Sequence, residues 1–240
     1  MYQHIILMCS DYRMERRIAF HKSYTDVLGI LEFEKLVKSV KGDFRNVTFS
    51  FHHIITESVA TESIADYDAY FKDVYFYSDI DAFKKDVAQS IEITPEDIVK
   101  GILVKKDFDQ LQIQKLLYFV YSEYAKEHDE PLFEEAFEAW TYGPVIPSVY
   151  DQISKYKRKK IVFEDKELEK LKLKIKLSRV YDSQSILECI DKVIEQYGNK
   201  TGMKMVDETH VEGSPWYRVF HEQGTGCEIP LEMIKEYVKG

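Results

Sequence analysis

The sequence predicts an α+β protein in which a small sheet-containing region is followed by a longer, mainly α-helical region. Short aromatic and β-branched runs occur before residue 92, and their period-two alternation is typical of half-buried strands. After residue 93 the apolar residues recur with the spacing of helices. No Gly/Ser-rich linker separates the two patterns. We therefore expect an N-terminal α/β domain at residues 1–92 and a helical domain at residues 93–240.

Three runs in the first region predict strands, at residues 3–8, 47–51 and 74–77. A helix is predicted between the first two runs by apolar residues on one face, which are Ile30, Phe33, Val37 and Val40. Gly42 stands where that helix would end. A second helix is predicted after the third run, because Ser78 and Asp81 have capping-box spacing. The expected domain is a small sheet with two helices.

The second region contains capped helices. Thr94 and Pro95 supply an N-cap and a proline at the first helical position. The strongest helical periodicity follows, in a set of apolar residues at i, i+3 and i+4 spacing: Ile113, Leu116, Leu117, Val120, Tyr121 and Tyr124. Further helices are expected between Ser183 and Gly198 and after Pro230.

One segment of this region has a different period. In residues 169–177 (EKLKLKIKL) the apolar residues alternate strictly with lysines, which predicts a strand. Lysines along one face suit an edge strand that resists unwanted pairing, and the same edge would also serve as a binding edge.

Composition restricts the class of protein. The chain has 240 residues, 45% of them hydrophobic, with 14 Phe, 17 Tyr and 2 Trp, enough for a sizeable core. No apolar run approaches the length of a membrane span, and the basic residues of the first segment follow its apolar stretch, the reverse of a signal peptide. Cys9, Cys189 and Cys227 are odd in number and far apart, so we expect free thiols and a cytoplasmic location.

A search for catalytic or metal-binding patterns finds none. Glycine-rich phosphate loops, GxSxG and HExxH are absent from the sequence. His52 and His53 are adjacent on a predicted strand and would point to opposite faces, which disfavours a shared metal. Cys227 lies near Glu222 and Glu228, which does not favour a reactive thiolate. We expect no catalytic residue, no metal and no cofactor.

The net charge of −9 argues against a broad nucleic-acid-binding surface. A local exception is a basic segment formed by Lys155, Lys157, Arg158, Lys159 and Lys160. A solvated loop or helix end is the simplest interpretation, and a phosphate-contacting patch or a surface for an acidic partner are the alternatives.

Three blocks of residues follow one another in the second region. The first is LQIQKLLYF at 111–119, with Pro131-Leu132-Phe133 after it. The second is FEAWTYGPVIP at 137–147, and the third runs from Thr209 to Trp216. In this order and spacing the blocks resemble the Panacea domain of antitoxins and phage-associated proteins. The resemblance covers about residues 94–240, whereas the N-terminal region, the basic segment and residues 169–177 lie outside its pattern.

The resemblance implies an antitoxin that neutralises a cognate protein toxin by direct binding, with no membrane partner. It suggests a set of partner-binding residues: Trp140, Tyr142, Gly143, Pro144, Pro147, His210, Pro215 and Trp216. Large amphipathic Trp and Tyr side chains are typical anchors of interfaces. The alternative is purely structural, a corner between two helices with Trp140 in the core. An enzyme that binds a small molecule and a DNA-binding autorepressor are the rival functions, and self-association remains open.

Overall fold

The computed structural model describes residues 1–11, 13–26, 28–180 and 182–240. It confirms the α+β class, with 54% of residues in helices and 18% in strands. The chain forms two compact units. The first is Met1–Glu92 with Ser178–Tyr181, and the second is Ile93–Leu177 with Asp182–Gly240. No helix in the described ranges is long and apolar enough to cross a membrane.

The first unit is built on a four-stranded sheet. Its strands are β1 (Tyr2–Asp11), β2 (Arg16–Tyr24), β3 (Ser50–Thr56) and β4 (Val74–Tyr77). The order across the sheet is β3-β1-β2-β4, in which β1 pairs antiparallel with β2 and β3 while β4 joins β2 in parallel. The helices are α1 (Leu28–Asp43), α2 (Glu62–Tyr67) and α3 (Ile80–Ile91), and a short 3₁₀ turn covers Ala69–Phe71.

Both faces of this sheet are buried. Alternate residues of β1 contribute to two separate clusters, with Ile5 and Leu7 in one and Ile6 and Met8 in the other. The first cluster includes Phe33 of α1 and Phe83 of α3. The second includes Ile64 of α2. Burial on both faces explains why residues 5–8 form a continuous apolar run.

The predicted strands and helices of this unit are confirmed with three differences. Strand β3 begins at Ser50, three residues later than the predicted run, because Val47 is held in a turn by the carbonyl of Phe44. The N-cap of α3 is Asp79, whose carboxylate accepts from the N–H of Ala82, and not Ser78. Strand β2 and the short helix α2 were not predicted.

The second unit surrounds one central helix. Its elements are α4 (Pro95–Lys105), α5 (Gln110–His128), β5 (Phe137–Trp140), β6 (Gly143–Val145), α6 (Pro147–Ile153), α7 (Lys166–Leu177), α8 (Ser183–Tyr197), α9 (Gly202–Thr209), α10 (Pro215–Glu222), β7 (Cys227–Ile229) and α11 (Leu231–Lys239). Helix α5 packs against α4, α6, α8, α9, α11 and β6. The three strands form an antiparallel sheet in the order β6-β5-β7.

The helices predicted in this region are confirmed, with Thr94 as the N-cap of α4, whereas the N-cap of α8 is Asp182 and not Ser183. The Asp97 carboxylate accepts from the backbone N–H of Thr94 at the start of α4, and Asp109 and Gln112 form a reciprocal capping box on α5. The apolar stripe of α5 is buried, including Ile113, Leu116 and Leu117. Reciprocal caps fix where both helices begin, which positions the residues that follow.

The predicted strand at residues 169–177 is wrong, because this segment lies within helix α7. Leu173 and Leu177, spaced i and i+4, are buried, whereas Leu171 and Ile175 are 54% and 40% exposed. Glutamates lie in the first turn and lysines in the last turn, where they complement the helix dipole. Tertiary packing and end charges therefore outweigh the alternating pattern.

Candidate partner-binding cleft

A β-hairpin made of β5 and β6 connects the central helix to α6. Trp140 pairs with Gly143 at its turn. Two buried hydrogen bonds tie the hairpin to α5, since Gln114 Nε2 donates to the carbonyl of Ile146 at 3.2 Å and Gln114 Oε1 accepts from its N–H at 3.0 Å. The amide of Gln114 thus satisfies both backbone groups of Ile146, which lie where the strand turns into α6.

Gly143 lies close to the side chains of Lys115 and Thr209. Its φ of +99° favours glycine. A Cβ atom at this position would lie 2.7 Å from Thr209 Oγ1 and 2.8 Å from Lys115 Nζ. Neither the backbone conformation nor the available space accepts a side chain, which gives a physical reason for glycine in the WTYGP segment.

Lys115 is fully buried beneath this hairpin. Its Nζ donates to the carbonyl of Pro144 at 2.6 Å, and no carboxylate in the described part of the chain pairs with it. Loss of solvent around the amine holds the pKa of Lys115 well below its ordinary value. The side chain therefore acts as a hydrogen-bond donor to the hairpin and favours its neutral form.

A second brace comes from the third sequence block. Trp216, at the start of α10, donates from Nε1 to the carbonyl of Trp140 at 2.8 Å. The ring of His210 stacks on Trp216 with centroids 3.5 Å apart and planes 3° from parallel. Burial lowers the pKa of His210. The Thr209–Trp216 block therefore supports the hairpin from behind, and His210 favours its neutral form.

The outer side of the hairpin opens into a cleft of about 320 Å³. Trp140, Tyr142, Val145 and Tyr150 line it together with residues of α5. Tyr142 is 59% exposed. Trp140 is half-buried, its ring tilted against Tyr150 at 5.0 Å and its Nε1 donating to Glu138 Oε2 at 2.8 Å. The hairpin thus presents two aromatic side chains at the mouth of a mostly apolar cleft.

A second cleft of about 460 Å³ adjoins the first. Gln110, Leu111 and Tyr142 line both. Lys157 and Arg158 of the basic segment line this second cleft. Three residues at the start of α9 line it as well: Thr201, Gly202 and Met203. Aromatic and cationic groups are therefore neighbours on one face of the second unit.

The eight residues of the predicted partner-binding set have different exposures. Gly143, Pro144, Pro215 and Trp216 are buried, so they shape and support the hairpin. Pro147 and His210 are half-buried, and Pro147 opens α6 as the sequence predicts. The helix-corner alternative is wrong in two respects, since the corner contains a hairpin and Trp140 is half-buried rather than in the core.

The remaining candidates lie elsewhere. The cations Lys155, Lys157, Arg158, Lys159 and Lys160 are all exposed, in a 3₁₀ turn and the loop after α6. Cys9 and Cys189 are buried, which raises the pKa of each thiol to about 12, and Cys227 is half-buried. In the part of the chain that the structure describes, no group of three or more His, Cys, Asp or Glu residues is placed to hold a metal ion.

Sequence reasoning did not single out Gln110, Gln114 and Lys115. A lysine and a glutamine inside the strongest apolar stripe of the chain were the available signal, because buried polar residues need a specific partner. The partner could not be read from the sequence, since the carbonyl of Pro144 lies 29 residues away.

Comparison with known proteins agrees with this site. Residues 113–217 match the family described as Antitoxin SocA-like, Panacea domain, and these residues include the hairpin and both of its braces. Antitoxin SocA of Caulobacter vibrioides (strain NA1000 / CB15N) is 32% identical over 130 residues, which cover 54% of this chain and 69% of that protein. The chain belongs to the SocA-like, Panacea-domain antitoxin family. No solved structure matches it.

Proposed function

We propose that this protein is a cytoplasmic antitoxin that neutralises a cognate protein toxin by binding to it directly. In this proposal the cleft beside the β5–β6 hairpin forms part of the contact surface. Trp140 and Tyr142 contact the toxin, while Gly143, Pro144, Pro215 and Trp216 hold the hairpin in place. The first unit acts as a separate domain that adds stability or partner specificity.

One observation carries the proposal. The residues of the family motif converge on a hairpin that is hydrogen-bonded from inside by Gln114, Lys115 and Trp216, yet its turn leaves Tyr142 exposed. An exposed aromatic side chain on a rigid support is typical of an interface anchor, because little conformational entropy is lost when a partner covers it. Anchors of this type commonly contribute about 2 kcal/mol or more to binding.

The test is co-expression with the products of adjacent genes, each placed under an unrelated inducible promoter. We expect one neighbour to arrest growth alone, to be neutralised by this chain, and to co-purify with it when either protein carries the tag. The unrelated promoters prevent autorepression from producing the rescue. Growth rescue without a stable complex, or no neutralised neighbour, would contradict direct binding.

The rival enzymatic function predicts a different result. A small-molecule-binding enzyme should show a raised melting temperature with a nucleotide or a metal ion, because a ligand that binds only the folded state stabilises it. We expect no such shift from ATP, GTP, NAD, Mg²⁺ or Zn²⁺.

A further inference from the structure

The two clefts beside the hairpin adjoin each other, since Gln110, Leu111 and Tyr142 line both. We call the pair the α5 groove, after the helix that provides Gln110 and Leu111. Its first half is lined by Trp140, Val145 and Tyr150. Its second half reaches Lys157 and Arg158. A single extended segment of a partner would meet aromatic groups first and cations next.

The cations of this groove are uncompensated. In the described ranges, neither Lys157 nor Arg158 forms an ion pair with a carboxylate, and the same is true of Lys155, Lys159 and Lys160. The carboxylate of Asp109, which lines the second half, accepts from the N–H of Gln112 as the N-cap of α5. The positive charge is therefore available to an external carboxylate.

Apolar surface near the cations suits a ligand that also carries an apolar side chain. Met203 is 53% exposed beside Lys157 and Arg158, and Tyr142 is exposed where the two halves join. Phosphate binding alone does not need these side chains, whereas a peptide that combines carboxylates with an apolar residue uses both. Aromatic and cationic side chains together also suit single-stranded nucleic acid, and it is the net charge of −9 that favours protein over nucleic acid.

We propose that the α5 groove receives an extended acidic segment of the partner protein, with an apolar side chain near Trp140 and Tyr142 and carboxylates against Lys157 and Arg158. This inference rests on the proposed toxin-binding function and adds the chemistry of the segment that the groove recognises. Charge complementarity at such a contact acts strongly on the rate of association and on its salt dependence.

The first test uses the adjacent-gene product that the unaltered chain neutralises. We expect the double reversal Lys157→Glu/Arg158→Glu to weaken binding at least about tenfold in 50 mM NaCl, with the difference narrowing at 500 mM NaCl as exposed charges are screened. The matched control is Lys159→Glu/Lys160→Glu, which makes the same charge change in the same segment outside the groove lining. It should weaken binding clearly less than the groove variant, most evidently at 150 mM NaCl, where the Debye length is only about 8 Å.

The second test needs no toxin. The probes are two 12-residue peptides, one alternating leucine with glutamate and one alternating leucine with lysine. Binding is followed by NMR through the tryptophan indole N–H resonances. The chain has only 2 Trp, so the Trp140 resonance reports on the groove and the Trp216 resonance reports on the interior. We expect the acidic peptide to shift the Trp140 resonance, to leave that of buried Trp216 nearly unchanged, and to lose this effect in Lys157→Glu/Arg158→Glu.

The outcomes separate this inference from the proposed function. If both charge-reversal variants bind the toxin as the unaltered chain does, or weaken equally, while Tyr142→Ala loses binding, the antitoxin proposal stands and the acidic-segment inference is wrong. If the groove variant instead loses binding to a 30-base-pair DNA duplex and keeps toxin binding, the groove serves nucleic acid. A basic peptide that shifts Trp140 as strongly as the acidic one also overturns the inference.

Discussion

Lys115 Nζ donates to the carbonyl oxygen of Pro144 at 2.6 Å inside the second unit, where no solvent reaches the amine. A lysine of α5 thereby holds the hairpin that carries Tyr142. The arrangement is costly because a buried amine without a carboxylate partner among the described residues must give up its proton. It indicates that the position of the hairpin is maintained at some expense of stability.

Lys115 should make stability depend on pH in the alkaline range. Its pKa is lowered in the folded state, so the unfolded chain binds a proton that the folded chain has released. Stability therefore falls as pH decreases below about 10.4, the ordinary value for lysine. Relative to Lys115→Met, the unaltered chain should gain up to about 1.4 kcal/mol of unfolding free energy per pH unit between pH 8 and 10.

Denaturant unfolding at several pH values measures this difference. Lys126→Met is the control, because Lys126 is an exposed lysine of the same helix, and it should follow the unaltered chain. Parallel curves for the unaltered chain and Lys115→Met would show that the buried amine keeps its proton.

Gly143 should tolerate no side chain. In Gly143→Ala the new methyl group meets Thr209 Oγ1 and Lys115 Nζ at less than 3 Å, and the positive φ adds strain. We expect a loss of about 3 kcal/mol in unfolding free energy. Gly213→Ala is the matched control, since Gly213 also has a positive φ of +80° but has no atom within 4 Å of the added carbon. Its cost should be about 1 kcal/mol, and equal costs would argue against a tight hairpin contact.

Protonation of His4 and His21 at acid pH should destabilise the first unit. His4 Nδ1 and His21 Nε2 lie 2.8 Å apart, and His4 Nε2 reaches the carbonyl of Ser58 at 2.9 Å. Because that carbonyl requires an N–H from Nε2, His4 Nδ1 accepts from His21 in the neutral pair. Burial, followed by the neighbouring His4 and Lys22 charges, lowers the pKa of His21 to about 4. Burial also lowers the pKa of His4.

The unfolded chain therefore takes up protons first as pH falls from about 6.5. Stability contributed by the neutral pair should be complete above pH 6.5 and should decline towards pH 4. His21→Gln keeps a donor for His4 but does not titrate, so its unfolding free energy should fall less over this range. His53→Gln, at an exposed position of β3, should retain the slope of the unaltered chain, and identical slopes for all three proteins would contradict this account.

The sequence predicted the elements whose patterns lie within one short segment and missed those that depend on contacts between distant segments. Helix α5 was predicted because its apolar stripe, from Ile113 to Tyr124, is a local pattern of residues at helical spacing. The prediction for helix α7 was wrong because Leu171 and Leu173 alternate with lysines, as apolar residues do in a strand. Which of these leucines is buried depends on tertiary packing. Leu173 lies beside Gly101 of α4, with a distance of 3.6 Å from a Cβ built on that glycine, and no local pattern contains this contact.

The same distinction holds for the candidate site. The family motif located the hairpin residues, because Trp140, Tyr142 and Gly143 are contiguous in the sequence. It did not separate contacting from supporting residues, since the burial of Trp216 and the exposure of Tyr142 result from long-range packing. The position of Lys157 and Arg158 beside Leu111 also depends on folding and could not be predicted.

If the aromatic turn of the hairpin contacts the toxin, the variant Tyr142→Ala should lose binding without losing stability. Tyr142 is 59% exposed, so its truncation should change the unfolding free energy by less than about 0.5 kcal/mol. Tyr67→Ala, at a 70% exposed tyrosine of the first unit, is the matched control. Calorimetric titration of the neutralised adjacent-gene product should show at least about thirtyfold weaker binding for Tyr142→Ala, with growth rescue lost, and unchanged binding for Tyr67→Ala. Full affinity and growth rescue in a folded Tyr142→Ala variant would show that the hairpin turn does not contact the toxin.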